Sequence, residues 1–221
     1  MLDLISTPRI VNSSDWAIGL FVLSLLLIVI TRTVFPVRFA EFIKLGVSDK
    51  YLKIYRDNNP ILNWFNLSLF AVQIISVSFF ILLLLDAFTP LPKTNGVGFI
   101  RIATVVTTFV LSKYIFEKII AICFSIEEVA DHFNNFKLSF RMYGSMLLLP
   151  VVAGLYFTDY VNVTLLTILC IAAVIINLGT YFFIIKSFQN VFTNKLFYFI
   201  LYLCTLEIAP YYFMYYWFIK S

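Results

Sequence analysis

Residues 196–219 read LFYFILYLCTLEIAPYYFMYYWFI, and this stretch decides what kind of fold the chain adopts. The run is almost entirely apolar, and it is longer than the ~20 residues that an α-helix needs to cross a bilayer. We therefore predict that residues 196–219 form a transmembrane helix and that the chain is an integral membrane protein.

Within this run, an ionisable side chain and a proline lie three residues apart. Glu207 places a carboxylate near the middle of the predicted helix, where insertion costs at least about 2.5–3.5 kcal/mol. Pro210 has no N–H, so the carbonyl of Leu206 loses its helical partner and the helix is expected to bend. Two interpretations follow: a proton, cation or partner-contact site, or a neutral or ion-paired carboxyl group that stabilises the bundle.

The composition extends the membrane prediction to the whole chain. Hydrophobic residues make up 62% of the sequence and charged residues 13%, against about 25% charged residues in soluble domains. The first apolar run is too long for a signal-peptide core and is expected to remain as a helix. We predict an all-α fold forming a single transmembrane domain, residues 1–221, with short cytoplasmic amphipathic helices. The six predicted transmembrane segments are residues 16–34, 62–85, 99–123, 142–158, 161–185 and 196–219.

The basic residues predict the orientation of this six-helix bundle. The connection between the first two segments is rich in Lys and Arg, whereas the next connection carries only Lys93. Lys137 and Arg141 precede the fourth segment, and Lys186 and Lys195 flank the turn before the sixth. Because Lys and Arg concentrate in cytoplasmic loops, both termini are predicted to lie outside the cytoplasm. The net charge of +4 follows this sorting, and we expect no nucleic-acid partner.

The first cytoplasmic connection contains a predicted amphipathic helix over residues 37–45, which Pro36 and Gly46 bracket. Such a helix suits the headgroup plane of a membrane with anionic lipids, and the alternative is an ordinary basic loop. The apolar face carries Phe39, Phe42 and Ile43, and the polar face carries Arg38, Glu41 and Lys44.

The third predicted segment carries more charge than any other. Arg101, Lys113, Glu117 and Lys118 interrupt it, and the i,i+4 spacing puts Lys113 and Glu117 on one face. In an antiparallel arrangement, Lys113 reaches about the same depth as Glu207, within roughly one helical turn. We therefore predict that Lys113 pairs with Glu207 and that Glu117 competes for the same ammonium group.

An acidic stretch follows Cys123, where the third helix is expected to continue into the cytoplasm over residues 126–136. Carboxylates and an imidazole at helical spacing can hold a metal, but a di-metal carboxylate site draws Glu-x-x-His motifs from two helices. We therefore favour a solvated polar face without a metal. The polar side chains of this stretch are Glu127, Glu128, Asp131 and His132.

The sequence offers no motif for catalysis or for a cofactor. It contains no nucleotide-binding loop, nucleophile elbow, HExxH zinc motif or pair of haem-ligand histidines. Its three cysteines lie in apolar runs without CxxC spacing, which is typical of buried small hydrophobic residues. We expect no cofactor, and we expect that the protein is not an enzyme.

Four stretches of the chain resemble a known family: residues 197–210, residues 32–39, residues 127–135 and residues 147–150. Together they are similar to domain of unknown function 4271, a family of integral membrane proteins from Bacteroidetes, over nearly the whole chain. The resemblance implies a multi-pass protein of the bacterial inner membrane, with the outer side in the periplasm. It implies no reaction and no agreed functional residues.

Three functions are compatible with this pattern. The first, which we favour, is a non-catalytic subunit of an inner-membrane complex for envelope biogenesis or protein transport, with membrane lipids and other integral membrane subunits as partners. The second is a small proton-coupled transporter or channel that uses Glu207 and Lys113. The third is a lipid-directed membrane enzyme that uses the acidic stretch and His132.

Overall fold

The computed structural model describes residues 15–46, 63–89, 93–123, 127–158 and 163–188. Within these ranges the chain is all-α and contains no strand, as predicted. A single 3-10 turn, Lys44–Gly46, follows the second helix. The helices are α1 Asp15–Val34, α2 Pro36–Ile43, α3 Trp64–Phe88, α4 Gly96–Cys123, α5 Glu127–Phe157 and α6 Val163–Phe188.

Four of these helices contain a segment long and apolar enough to cross a membrane, which is consistent with a membrane protein. They are α1, α3, α4 and the Asn134–Phe157 part of α5. The Val163–Asn177 part of α6 is a shorter apolar helix. The predicted segment 196–219, with Glu207 and Pro210, lies outside the described residues, so the six-span topology and its orientation stay predictions.

Residues 126–136 were predicted to continue the third transmembrane helix, but in the structure residues 127–136 form the beginning of the next helix, α5. Helix α4 ends at Cys123, and residues 127–136 belong to α5, which continues without interruption through Pro150 to Phe157. The carboxylate of Glu117 lies 2.6 Å from the ammonium of Lys137, whereas twenty residues of one straight helix span about 30 Å. The chain therefore reverses direction between α4 and α5, and the predicted continuation of the third helix is wrong.

Helix α3 forms the centre of the bundle. Half of its span (50%) is buried, against 11–22% for the other three candidate spans. The ring of Phe79 is fully buried. Its centre lies 4.4 Å from the ring centre of Phe21 on α1, 4.5 Å from that of Phe99 on α4 and 5.4 Å from that of Tyr156 on α5. Such aromatic pairs contribute about 0.5–1.5 kcal/mol each beyond area burial, and close packing is the main force between helices in lipid.

Lys93 joins the helices at the Phe79 end of the bundle. Its backbone N–H donates to Oδ1 of Asp86 on α3 at 2.9 Å, and its carbonyl accepts from the hydroxyl of Tyr156 on α5 at 3.2 Å. Its ammonium group donates to the carbonyl of Thr158 at 2.8 Å. The residues before α4 are therefore bonded to both α3 and the end of α5.

Helix α2 confirms the predicted helix between Pro36 and Gly46. Its Phe39 and Phe42 are buried, in a cluster that also contains Phe65 of α3 and Phe136 of α5. The third residue of the predicted apolar face, Ile43, is 47% exposed. Two of the three residues of the predicted apolar face thus pack against the other helices of the bundle.

Candidate functional site

A buried ionic cluster lies between α4 and α5. The ammonium of Lys137 donates to Oε1 of Glu117 at 2.6 Å, and the two side chains are only 7% and 4% exposed. Lys113, one turn before Glu117, is also buried. Because an isolated charge is costly to bury, the ion pair allows these groups to lie inside the protein.

The spacing of charges on the two helices explains why the cluster forms here. Lys113 and Glu117 are four residues apart on α4, and Lys137 and Arg141 are four residues apart on α5. Side chains at i and i+4 project from the same face of a helix. When the two helices lie antiparallel, these faces meet and place three basic groups around one carboxylate.

A small cavity lies against this cluster. Its volume is about 30 Å³, which exceeds the ~10–15 Å³ needed to hold one water molecule. The amide of Asn134 is 3% exposed at its wall, and its Oδ1 has no hydrogen-bond partner. The cavity is lined by Phe70, Val110, Lys113, Tyr114, Glu117, Asn134, Lys137, Leu138 and Arg141.

The cluster lies in the second half of α4, towards its Cys123 end. Lys113 is seventeen residues after Gly96, the first residue of α4, and thus about 25 Å along the helix. The guanidinium of Arg38 on α2 lies at this same end, 4.6 Å from the ring centre of Phe65. Basic groups of three helices are therefore concentrated at one end of the bundle.

A second feature is an open groove on the outer face of α4. Its volume is about 310 Å³. The threonine hydroxyls in it donate to carbonyls of their own helix, from Thr104 to Ile100 at 2.8 Å and from Thr107 to Ala103 at 2.7 Å. What remains on the groove surface is mostly small and apolar. The groove is lined by Phe99, Ile100, Ala103, Thr104, Thr107 and Thr108.

Comparison with known proteins gives a family for this chain. The family described as domain of unknown function (DUF4271) matches residues 17–218, which is nearly the full length of the sequence. The chain belongs to the DUF4271 family. No curated protein and no solved structure matches the chain. The family resemblance of the sequence motifs is thus confirmed.

In this DUF4271 protein, the predicted partner of Lys113 cannot be placed, because Glu207 lies outside the described residues. Glu117 was expected to compete for the ammonium of Lys113, and the structure pairs it with Lys137. The sequence reasoning missed this pair because it assigned Lys137 to a loop before the fourth segment. Lys137 and Arg141 repeat the four-residue spacing of Lys113 and Glu117, but this spacing alone does not show that the two helices pack against each other.

The other predicted site residues of the DUF4271 chain are dispersed. Arg101 is exposed near the opposite end of α4, and Asp131 is half-buried on α5. Arg38 on α2 contacts Asn66 and Phe65. The ammonium of Lys44, in the turn after α2, lies 3.9 Å from the carboxylate of Glu41. The side chains of Glu127, Glu128 and His132, like Pro210, lie outside the described part, so the acidic stretch stays a prediction.

Proposed function

We propose that this DUF4271 protein is a non-catalytic integral subunit of a bacterial inner-membrane complex that serves envelope biogenesis or protein transport. The outer face of α4 is the contact with a transmembrane helix of another subunit. The observation that carries this proposal is a mismatch between the polarity of α4 and its exposure.

Among the four candidate spans, α4 has the smallest buried share, 11%. Its mean hydropathy of 1.5 is well below the 2.4 of α1 and the 2.5 of α3 and close to the 1.4 of the α5 span, of which 22% is buried. A helix surrounded by lipid is expected to be the more apolar one, because polar residues at bilayer depth are costly. A less apolar helix with a face that no other described helix covers is better explained by a protein neighbour than by lipid.

The surface of the α4 groove suits such a neighbour. Small residues allow two helix backbones to approach closely in membranes, and threonine is common at these interfaces. Ala103, Thr104, Thr107 and Thr108 provide a shallow surface of this kind, about 310 Å³ in volume. The hydroxyls of Thr104 and Thr107 already donate to carbonyls of α4, so contact with an apolar helix leaves neither donor unsatisfied.

The test is site-specific cross-linking in native membranes, followed by identification of the captured proteins. Thr104→Cys and Thr108→Cys are expected to form cross-links to a membrane protein of an envelope-assembly or secretion complex. Val29→Cys, on the exposed face of α1, is the matched control and is expected to give none. Cross-linking from Val29 but not from α4, or a protein that purifies alone after mild solubilisation, would argue against the proposal.

The buried cluster favours a second candidate, a small proton-coupled transporter or channel that uses Lys113 and Glu207. Its support is the cavity beside Lys113, which has room for water. The test is proton flux into liposomes that contain the purified protein. Lys113→Gln should abolish the flux while Lys118→Gln retains it. Equal flux in both variants would exclude this role for Lys113.

A further inference from the structure

Helix α2 has one side packed on the bundle and an opposite side that is exposed. Phe39 and Phe42 lie on the packed side and are buried. Because successive residues of an α-helix are about 100° apart, positions 36, 37, 40, 43 and 44 form one continuous strip on the opposite side, and all five are exposed. This strip, the exposed face of α2, consists of Pro36, Val37, Ala40, Ile43 and Lys44. Apart from Lys44 it is apolar, so its contact with water is unfavourable.

Helix α2 lies beside the first turn of α3 and does not project away from the bundle. The ring centre of Phe65, the second residue of α3, lies 5.9 Å from that of Phe35, just before α2, and 5.7 Å from that of Phe42, near the end of α2. Both ends of α2 are therefore close to one ring. Trp64, next to Phe65, is 77% exposed, and tryptophan is enriched where a membrane meets water. These contacts are those of a helix at the headgroup level of one leaflet.

Basic groups flank the exposed face of α2. Arg32, in the last turn of α1, is exposed, and the side chain of Lys44 is 64% exposed. The carboxylate of Glu41 lies 3.9 Å from the ammonium of Lys44, but the side chain of Glu41 is only 20% exposed. Apolar side chains between exposed basic groups are typical of a surface that contacts anionic lipid. Lysine is depleted at protein–protein interfaces, which favours lipid over a protein neighbour on this face.

We propose that the exposed face of α2 binds the anionic phospholipids of one leaflet. Val37 and Ile43 contact the upper part of the acyl chains, and Arg32 and Lys44 bind the lipid phosphates. This contact reverses the helix relative to the sequence prediction, because Phe39 and Phe42 pack on the bundle and the opposite side faces the lipid. The surface contains no residue of the α4 groove, so this inference does not depend on the proposed function.

The experiment is fluorescence quenching of the full-length protein in liposomes. The three native cysteines are replaced by alanine, and Ala40→Cys carries a bimane label. The liposomes contain equal amounts of phosphatidylglycerol and phosphatidylcholine, and one of the two lipids carries a nitroxide near its headgroup. Nitroxide on phosphatidylglycerol should quench at least about fivefold more strongly than nitroxide on phosphatidylcholine, the contribution of one basic residue near an anionic surface. Adding Arg32→Gln and Lys44→Gln should remove this preference.

Arg101→Gln is the matched control, because it removes an exposed basic group far from α2 and should keep the preference. Circular dichroism checks that each variant is folded. Equal quenching by the two nitroxide lipids before any charge is removed, or an equal loss of preference in Arg101→Gln, would overturn the proposal. Stronger quenching by aqueous iodide than by either lipid would mean that this face lies in water. Capture of a protein by p-benzoylphenylalanine at Ala40 in native membranes would assign the face to another subunit, and each of these two results would also overturn the proposal.

Discussion

Replacing Glu117 by Gln tests whether the ionic cluster holds α4 and α5 together. Gln keeps the size of the side chain but leaves the ammonium of Lys137 without the carboxylate that lies 2.6 Å away, in a site where both side chains are at least 93% buried. Breaking a buried pair by removing one partner costs about 3–5 kcal/mol. For a chain of this length, each kcal/mol lowers the melting temperature by about 2–4 °C, so the expected decrease is about 6–20 °C.

The two halves of the pair are expected to differ. Lys137→Met leaves Glu117 with Lys113 one turn away on the same face of α4, so a second ammonium can approach the carboxylate. We therefore expect Lys137→Met to cost less than Glu117→Gln. The double variant Glu117→Leu/Lys137→Met removes both charges and should regain much of the loss, because apolar replacement of a whole buried pair is often neutral.

Two measurements on the purified protein are followed by circular dichroism. Unfolding in mixed micelles of mild detergent and dodecyl sulfate gives the free energy of unfolding, and a thermal scan in mild detergent gives the melting temperature. Lys118→Gln serves as the control, since a substitution outside the cluster should stay within about 0.5 kcal/mol of wild type. If Glu117→Gln were no less stable than this control, or if Glu117→Leu/Lys137→Met were no more stable than Glu117→Gln, the ion pair would not be stabilising the helix contact.

Three other substitutions test the packing in the same assay. Phe79→Ala should cost about 3–5 kcal/mol, because its fully buried ring contacts rings from three other helices; a loss below 1 kcal/mol would contradict this. Phe42→Ala should destabilise by a similar amount while Ile43→Ala, at an exposed position, should be nearly neutral, and equal effects would mean that α2 does not pack on the bundle. Thr31→Val removes the 2.8 Å hydrogen bond between α1 and α3 and should cost about 0.6 kcal/mol; combining it with Ser68→Ala should add little more.

Much of the fold could be predicted because apolar length is a direct signal of a membrane helix. The segments predicted over residues 16–34, 62–85 and 99–123 begin and end within three residues of α1, α3 and α4. Charge density, however, does not mark the end of a helix. Residues 127–141 are polar, so the fourth segment was predicted to start at 142, while α5 begins at Glu127. Phe136 and Lys137, within this polar stretch, are buried against the rest of the bundle, and this tertiary packing carries the helix across the stretch.

The candidate site shows the same limit. The sequence identified Lys113 and Glu117 as unusual, because charges within an apolar segment need a partner. It could not identify Lys137 as that partner, because the choice depends on the antiparallel contact between α4 and α5 and not on spacing along the chain. Asn134 gave no signal in the sequence at all, since its importance comes only from its burial beside a cavity.

The bonds of Lys93 have a mechanical consequence. They tie the residues before α4 to α3 and to the end of α5 through three hydrogen bonds, each of which joins a backbone group to a side chain. At the far end, the ion pair between Glu117 and Lys137 joins α4 to α5. A force that separates α4 from α5 should therefore part the two helices first at the end that carries Glu117 and Lys137, while the hydrogen bonds of Lys93 hold the opposite end together.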